Sequence, residues 1–254
     1  MDPGVRRGDS FVIVTRCAAL KFLQSPLSAL AVIIPIGPNE QAWQTLLPQL
    51  NFLPTGAEIC LVFCQQSPPP PELPQIAAKI IYTTAPMGRA RQLNAGAAAT
   101  QNSELWFVHA DSSLSANTAA AITGAISSTK HLNTLHYFDL RFAKGSSSKM
   151  RINEFGVWLR TRLLGLAFGD QGFLLSRANF IRLGGYDETL PSAEDHALIW
   201  RARRAGMAIR AIGASLSTSA RRYTEYGWAK TTAKHLRLTW QQMRFFAKQT
   251  EKNT

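Results

Sequence analysis

Apolar residues in this chain fall into short unbroken runs separated by stretches of helical periodicity, the pattern of buried parallel strands joined by crossover helices. Residues 29–35 (ALAVIIP) are rich in β-branched side chains and stop at a Pro and a Gly, which predicts a first core strand. Over 39–50, Trp43, Leu46, Leu47 and Leu50 share one helical face, so a helix is expected from Asn39-Glu40 to Leu50. Residues 57–63 (AEICLVF) read as the second strand, 76–78 as a helical piece and 80–82 as a third strand. The intervening 65–73 contains Pro68 to Pro71 and is too stiff for helix or sheet. A helix opening at Gly88 then leads to an apolar strand, 105–108, that stops at His109-Ala110-Asp111. This alternation predicts an α/β fold, a doubly wound, mostly parallel sheet flanked by helices.

Downstream the pattern predicts an Ala-rich helix over 116–127 and a strand over 135–142 (LHYFDLRF), antiparallel or at an edge. A mobile loop over 143–150 and a helix over 151–164 come next. A strand at 173–176, a short helix at 178–183, a helix from Glu194 to Ala205 and a strand at 208–212 follow, and then the segment 217–223 (STSARRY). Residues 226–248 read as a long basic and aromatic helix. The expected organisation is an N-terminal extension of uncertain structure (1–28), one α/β domain (29–225) and a C-terminal helical appendage (226–254), with no internal repeat.

Composition changes this picture chiefly through charge. The net charge is +12, and from Arg201 onward 12 basic residues face 2 acidic ones, so the excess sits in the C-terminal fifth. That asymmetry points to an anionic partner: a phosphorylated ligand, an anionic membrane surface or nucleic acid. Nucleic acid ranks last, because no recognition module is present. No run of eighteen apolar residues predicts a transmembrane helix. Cys17, Cys60 and Cys64 are odd in number and match no zinc spacing, which suits free thiols in a reducing compartment. A cytoplasmic protein, with a peripheral place at the inner face of the cell membrane, is the expectation. The basic tail helix could lie on such a membrane or pack its aromatic side against the domain.

The chemistry concentrates in a few segments. Ligands of open α/β sheets bind outside the carboxyl ends of the strands, which is where Asp111 falls. An aspartate there suits a hard cation or a sugar hydroxyl, and equally a turn. Arg89 and Arg91, with Asn94 on the same helix face, and Arg221-Arg222 further on, suit a diphosphate; the latter pair also reads as solvated charge. Glu194-Asp195 sit in the first turn of a helix, where carboxylates are favoured by the helix dipole and one could act as a base.

In this order the segments resemble the inverting family 2 glycosyltransferases of GT-A fold, with most similarity to the small bacterial subgroup named for arsenosugar biosynthesis. The likeness is strong from Gly88 onward and weak before it. It implies a hexosyltransferase-type enzyme that moves a sugar from a nucleotide-diphospho-sugar donor to an acceptor hydroxyl, with a divalent metal, Mg or Mn. By that resemblance Asp111 binds the metal, and beside it Glu40, Arg89, Arg91, Asn94, Arg221 and Arg222 are the residues expected to hold the donor, the arginines by their charge. Asp170, Gln171, Gly172 and Glu194 line the acceptor side, and Asp195 is the catalytic base. The sequence departs from the family where Phe63-Cys64-Gln65-Gln66-Ser67 lacks the usual base-binding acid, and where His109 replaces the first acid of Asp-X-Asp. A nucleotidyltransferase and a catalytically silent nucleotide-sugar-binding protein are the competing readings. The first is disfavoured by Pro38, which removes an amide donor from the turn after the first strand.

Overall fold

The computed structural model describes residues 25–65, 73–143, 149–190 and 192–219, together with 227, 228, 230, 232, 237, 240 and 244. Arg221, Arg222, Cys17, the four-proline run and most of the tail lie outside the described residues. Eight strands form one sheet: β1 (Leu30–Ile36), β2 (Glu58–Cys64), β3 (Lys79–Ala85), β4 (Glu104–Phe107), β5 (Ser113–Leu114), β6 (Thr134–Phe142), β7 (Phe173–Ser176) and β8 (Ala208–Thr218). Their order is β3-β2-β1-β4-β7-β6-β8-β5. β3, β2, β1 and β4 run parallel, β7 is antiparallel to both β4 and β6, and β8 is parallel to β6.

The apolar runs become central strands because both faces of the sheet are covered. Leu30, Val32, Ile34 and Ile36 pack on one side with α1 (Trp43–Leu46) and α3 (Thr118–Ile126). Ala31 and Ile33 pack on the other with α2 (Arg89–Ala99) and α6 (Glu194–Arg204). Helix α2 lies very close to the sheet. A Cβ on Gly96 would fall 2.5 Å from Ile33 Cγ2 and 2.8 Å from Val62 Cγ2. Gln92, buried on the same helix, donates through Nε2 to Ile36 O and Val62 O, both at 2.8 Å, and so locks α2 over the carboxyl ends of β1 and β2. Two further helices, α4 (Met150–Leu164) and α5 (Arg177–Arg182), flank β7 in sequence.

Four expectations are corrected. The stretch 39–50 is not one helix: Asn39 has φ +56°, and only Trp43–Leu46 is α-helical before a 3-10 turn at Leu47–Leu50 containing Pro48, which has no amide to donate. Residues 76–78 are not helical, and the third strand is longer than 80–82. The strand starting at Ala208 does not stop at Ile212 but runs to Thr218. Its register against β6 shifts from Tyr137↔Ala211 to Asp139↔Ser215, a bulge that takes in Gly213 at φ +86°. β6 is antiparallel to β7, as the pattern allowed, yet it is internal to the sheet rather than at an edge.

Candidate active site

The chain runs from β1 outward to β2 and β3, then returns to place β4 on the other side of β1. Such a reversal opens a crevice beyond the carboxyl ends of the two strands. A cavity of about 1090 Å³ lies there, bordered by Pro35 near the end of β1, by Gly37 just after it and by His109, Ala110 and Asp111 after β4. Of the residues singled out in the sequence, Glu40, Arg89, Asp111, Asp170 and Asp195 line it. They come from five separate segments.

Each is held by identifiable contacts. Asp111 follows β4, and its Oδ2 accepts from Thr218 Oγ1 at 3.1 Å; the pairing of β5 with the end of β8 brings Thr218 to it. Glu40 Oε1 accepts from Ala42 N at 2.8 Å. Arg89 opens α2, and its Nη1 lies 3.5 Å from Oε1 of the buried Glu194. Burial raises the Glu194 carboxyl above its ordinary value, with Asp195 adding to the rise and Arg89 opposing it. Asp195 Oδ2 accepts from Gly169 N at 2.7 Å and Oδ1 from His196 N at 2.8 Å, so two backbone amides aim the carboxylate.

The segment Phe168 to Gly172 is built to present Asp170. Gln171 is buried, its Oε1 accepting from Phe168 N and its Nε2 donating to Phe138 O, both at 3.1 Å. Gly172 has φ +59°, and a Cβ there would lie 2.8 Å from Leu216 Cδ1. Between them Asp170 faces the cavity, its Oδ1 sealed from solvent without a hydrogen-bond partner among the described residues. Burial pushes its carboxyl up to about 6; Asp195 and Asp111 add to the rise, and Arg160 and Arg89 oppose it.

Several singled-out residues stand outside the cavity wall. Arg91 is exposed on α2. Asn94 ties α2 to the loop before α6: its Nδ2 donates to Tyr186 O at 2.9 Å and Glu188 Oε1 at 2.7 Å, and its Oδ1 accepts from Tyr186 N at 2.8 Å. Gln171, Gly172 and Glu194 stand behind the wall and shape Asp170, Asp195 and Arg89.

Sequence reasoning missed a neighbouring aromatic and basic group. The Arg160 guanidinium lies over the Phe168 ring, 3.5 Å from its centroid, and the buried His196 ring packs 4.1 Å from Phe168. Burial lowers the His196 imidazole to about 4, with Arg160 reinforcing and Asp195 opposing the fall, so the ring is neutral at physiological pH. Its position next to Glu194-Asp195 was the one available signal. From the tail, Trp228, Thr232 and Trp240 line the cavity, which places part of its aromatic side against the domain.

Among the described residues no three His, Cys, Asp or Glu side chains converge closely enough to hold a metal ion. Asp111, with one oxygen bonded to Thr218, suits a hard cation whose remaining ligands are water and phosphate oxygens. Among the described residues, no helix is long and apolar enough to cross a membrane. Cys60 and Cys64 are buried and in no disulfide among the described residues, and burial pushes Cys60 up to about 12, which makes it inert.

No family model and no curated protein matches the chain. Solved structures do. Residues 1–349 of Staphylococcus aureus TarS in complex with UDP align over 75% of this chain and 60% of theirs, with a TM-score of 0.57 and 15% identity. A second TarS structure, in complex with UDP-GlcNAc, aligns with a TM-score of 0.54 and 15% identity, over 75% of this chain and 58% of its own. The mannosyltransferase PcManGT of Pyrobaculum calidifontis, in complex with GDP-Man and Mn2+, gives 0.52 and 15% identity over 79% of this chain and 61% of its own. The chain therefore spans about three fifths of these structures, and 38% of a longer TarS chain. TarS and PcManGT are both glycosyltransferases, and the mixed α/β fold seen here, a large mostly parallel sheet flanked by helices, is the one they share.

Proposed function

We propose that the protein transfers a sugar from a nucleotide-diphospho-sugar donor to an acceptor hydroxyl with inversion, as a family 2 glycosyltransferase of the arsenosugar-biosynthesis type that its motifs resemble. One observation carries this reading. Glu40, Arg89, Asp111, Asp170 and Asp195 meet in one cavity at the reversal point of the sheet. The same fold holds UDP-GlcNAc in TarS and GDP-Man in PcManGT.

Asp195 is the base. It takes the proton of the acceptor hydroxyl as the new bond to the anomeric carbon forms and the bond to the diphosphate breaks. Its two backbone amide donors fix the carboxylate's direction and leave a lone pair on each oxygen for that proton. Asp170, uncharged at slightly acid pH and ionised above it, faces the acceptor side. Arg89 and Arg160 bring positive charge into the wall, where a departing diphosphate develops its negative charge; Arg221 and Arg222 are further candidates for that role. Asp111 would hold a divalent cation, Mg or Mn, whose charge would offset that of the diphosphate. The nucleotide base is recognised without the usual acid after β2, since Cys64 and Gln65 stand there.

The test is a titration of UDP, GDP and their sugar conjugates, with and without Mn2+, on the wild type and on Asp111→Ala. Metal-dependent binding of one nucleotide, weakened at least tenfold in the variant, is expected. Binding with no sugar transfer to any hydroxyl acceptor would favour a nucleotide-sugar-binding protein, and binding to none would refute the reading.

A further inference from the structure

Helix α4 is turned inside out. Among the described residues eleven large apolar side chains are exposed, and six of them are on this one helix: Ile152, Phe155, Trp158, Leu159, Leu163 and Leu164. At 3.6 residues per turn, Trp158, Phe155, Leu159, Ile152 and Leu163 fall within roughly 140° of arc. Phe155 and Leu163 are 61% and 72% exposed, whereas the residues the helix buries are Met150 and Thr161. A surface helix ordinarily shows the reverse.

The charges on this face have one sign. Arg151 and Arg162 lie within the exposed arc. The only acid on the helix, Glu154, points away from it, bonded to Arg141 Nη1 at 3.0 Å and Phe142 N at 2.8 Å. Arg162 also reaches Asp139 at 3.1 Å. Lys149 stands just before the helix, and Lys230, Arg237 and Arg244 are exposed on the C-terminal segment. Apolar and aromatic side chains rimmed by arginines suit the headgroup level of an anionic bilayer, where the rings sink to the acyl boundary and the cations meet phosphates. A second copy of this chain would instead bring the same arginines together on a molecule of net charge +12.

We propose that the outward face of α4 seats the protein on an anionic phospholipid surface. Beside that face the same helix contributes Asn153, Gly156, Val157 and Arg160 to the cavity wall, and Ile152 and Leu164 border the cavity as well. The face proper is therefore Phe155, Trp158, Leu159 and Leu163, and docking sets the cavity beside the lipid headgroups. The proposal rests on α4 rather than on the tail helix. Of the tail, which the sequence allowed either on a membrane or against the domain, Trp228 and Trp240 border the cavity, although Trp240 is also partly exposed.

Flotation of the full chain with phosphatidylcholine vesicles, with and without 30% phosphatidylglycerol, tests this. The wild type is expected to float with the anionic vesicles. The triple variant Phe155→Gln, Leu159→Gln, Leu163→Gln uses no residue of the cavity wall. It is expected to need at least 100-fold more lipid, since each apolar side chain kept out of the bilayer forfeits roughly tenfold. Arg151→Glu alters no apolar contact and is expected to weaken flotation on anionic vesicles only. Trp158, replaced by Phe in a control, should account for a fluorescence loss with brominated lipids. Unchanged flotation of the triple variant, equal flotation on neutral vesicles, or concentration-dependent dimers that the triple variant abolishes would each overturn the proposal. Donor titration is read separately, so its failure would not be mistaken for failure of docking.

Discussion

Asp170→Asn should make the protein more stable while impairing it. The wild-type carboxyl titrates near 6 rather than at its ordinary 3.8, chiefly because it is buried. The folded protein therefore binds this proton more tightly than the unfolded chain. Between pH 3.8 and 6 the native state carries more protons, so stability rises as pH falls through that window, and the full penalty applies above it. At about 1.36 kcal/mol per pH unit the shift corresponds to a ceiling of about 3 kcal/mol. The residue retains some contact with water through the cavity, which reduces this to about 1–2 kcal/mol. Asparagine has nearly the same volume and carries no charge to desolvate. The variant should unfold about 3–6 °C higher at pH 8 and gain nothing at pH 3.5. Thermal unfolding followed by circular dichroism at pH 8, 6 and 3.5 measures this, with sugar transfer assayed alongside and expected to fall. A variant less stable than wild type at pH 8, or a gain independent of pH, would refute the electrostatic reasoning.

Asp195→Asn should lower kcat by roughly 10²–10⁴-fold and leave donor affinity nearly unchanged, because the base acts on the acceptor proton; calorimetric donor binding beside a turnover assay separates the two. Near wild-type turnover would show that another group is the base. Gly96→Ala should destabilise by about 1–3 kcal/mol, because its methyl group meets Ile33 and Val62 on the sheet and α2 is tied down by Gln92; urea unfolding measures it. A neutral result would mean that α2 can lift from the sheet.

The sheet was legible where burial on both faces demanded unbroken apolar runs, as in β1, β2 and β4. It was not legible at β8, where the bulge at Gly213 interrupts the pattern of a single strand, nor at 39–50, where a left-handed Asn39 and Pro48 override an apolar helical periodicity. The five residues brought together in the cavity were not readable from any one place alone, since a helix start favours carboxylates and a strand end favours turn residues in any case. It was their order along the chain that singled them out. Asn94 misled for the opposite reason. Its spacing from Arg91 fitted a ligand face, yet its amide satisfies the backbone of Tyr186, a contact 92 residues away in sequence. Arg160 and Phe168 are brought together by α4 and the turn that follows, and no local pattern announces that.

Destabilising features gather on one side of this cavity. Ala193, a residue with a Cβ, takes the left-handed conformation (φ +70°) directly before Glu194. Glu194 and Asp170 are carboxyls raised by burial, and His196 is an imidazole held neutral. Ala193 and the two carboxyls oppose folding at neutral pH and the imidazole does so in acid, and each abuts Asp195 in sequence or in space. A structural role alone would have favoured glycine at 193 and an amide at 170. The proposed base, Asp195, whose direction is fixed by two backbone amides, gives this strain and desolvation in its surroundings a functional reason. The apolar sheet, with Leu30 to Ile34 wholly buried, supplies the stability that offsets them. The stabilisation expected of Asp170→Asn and the activity loss expected with it are therefore two readings of the same arrangement.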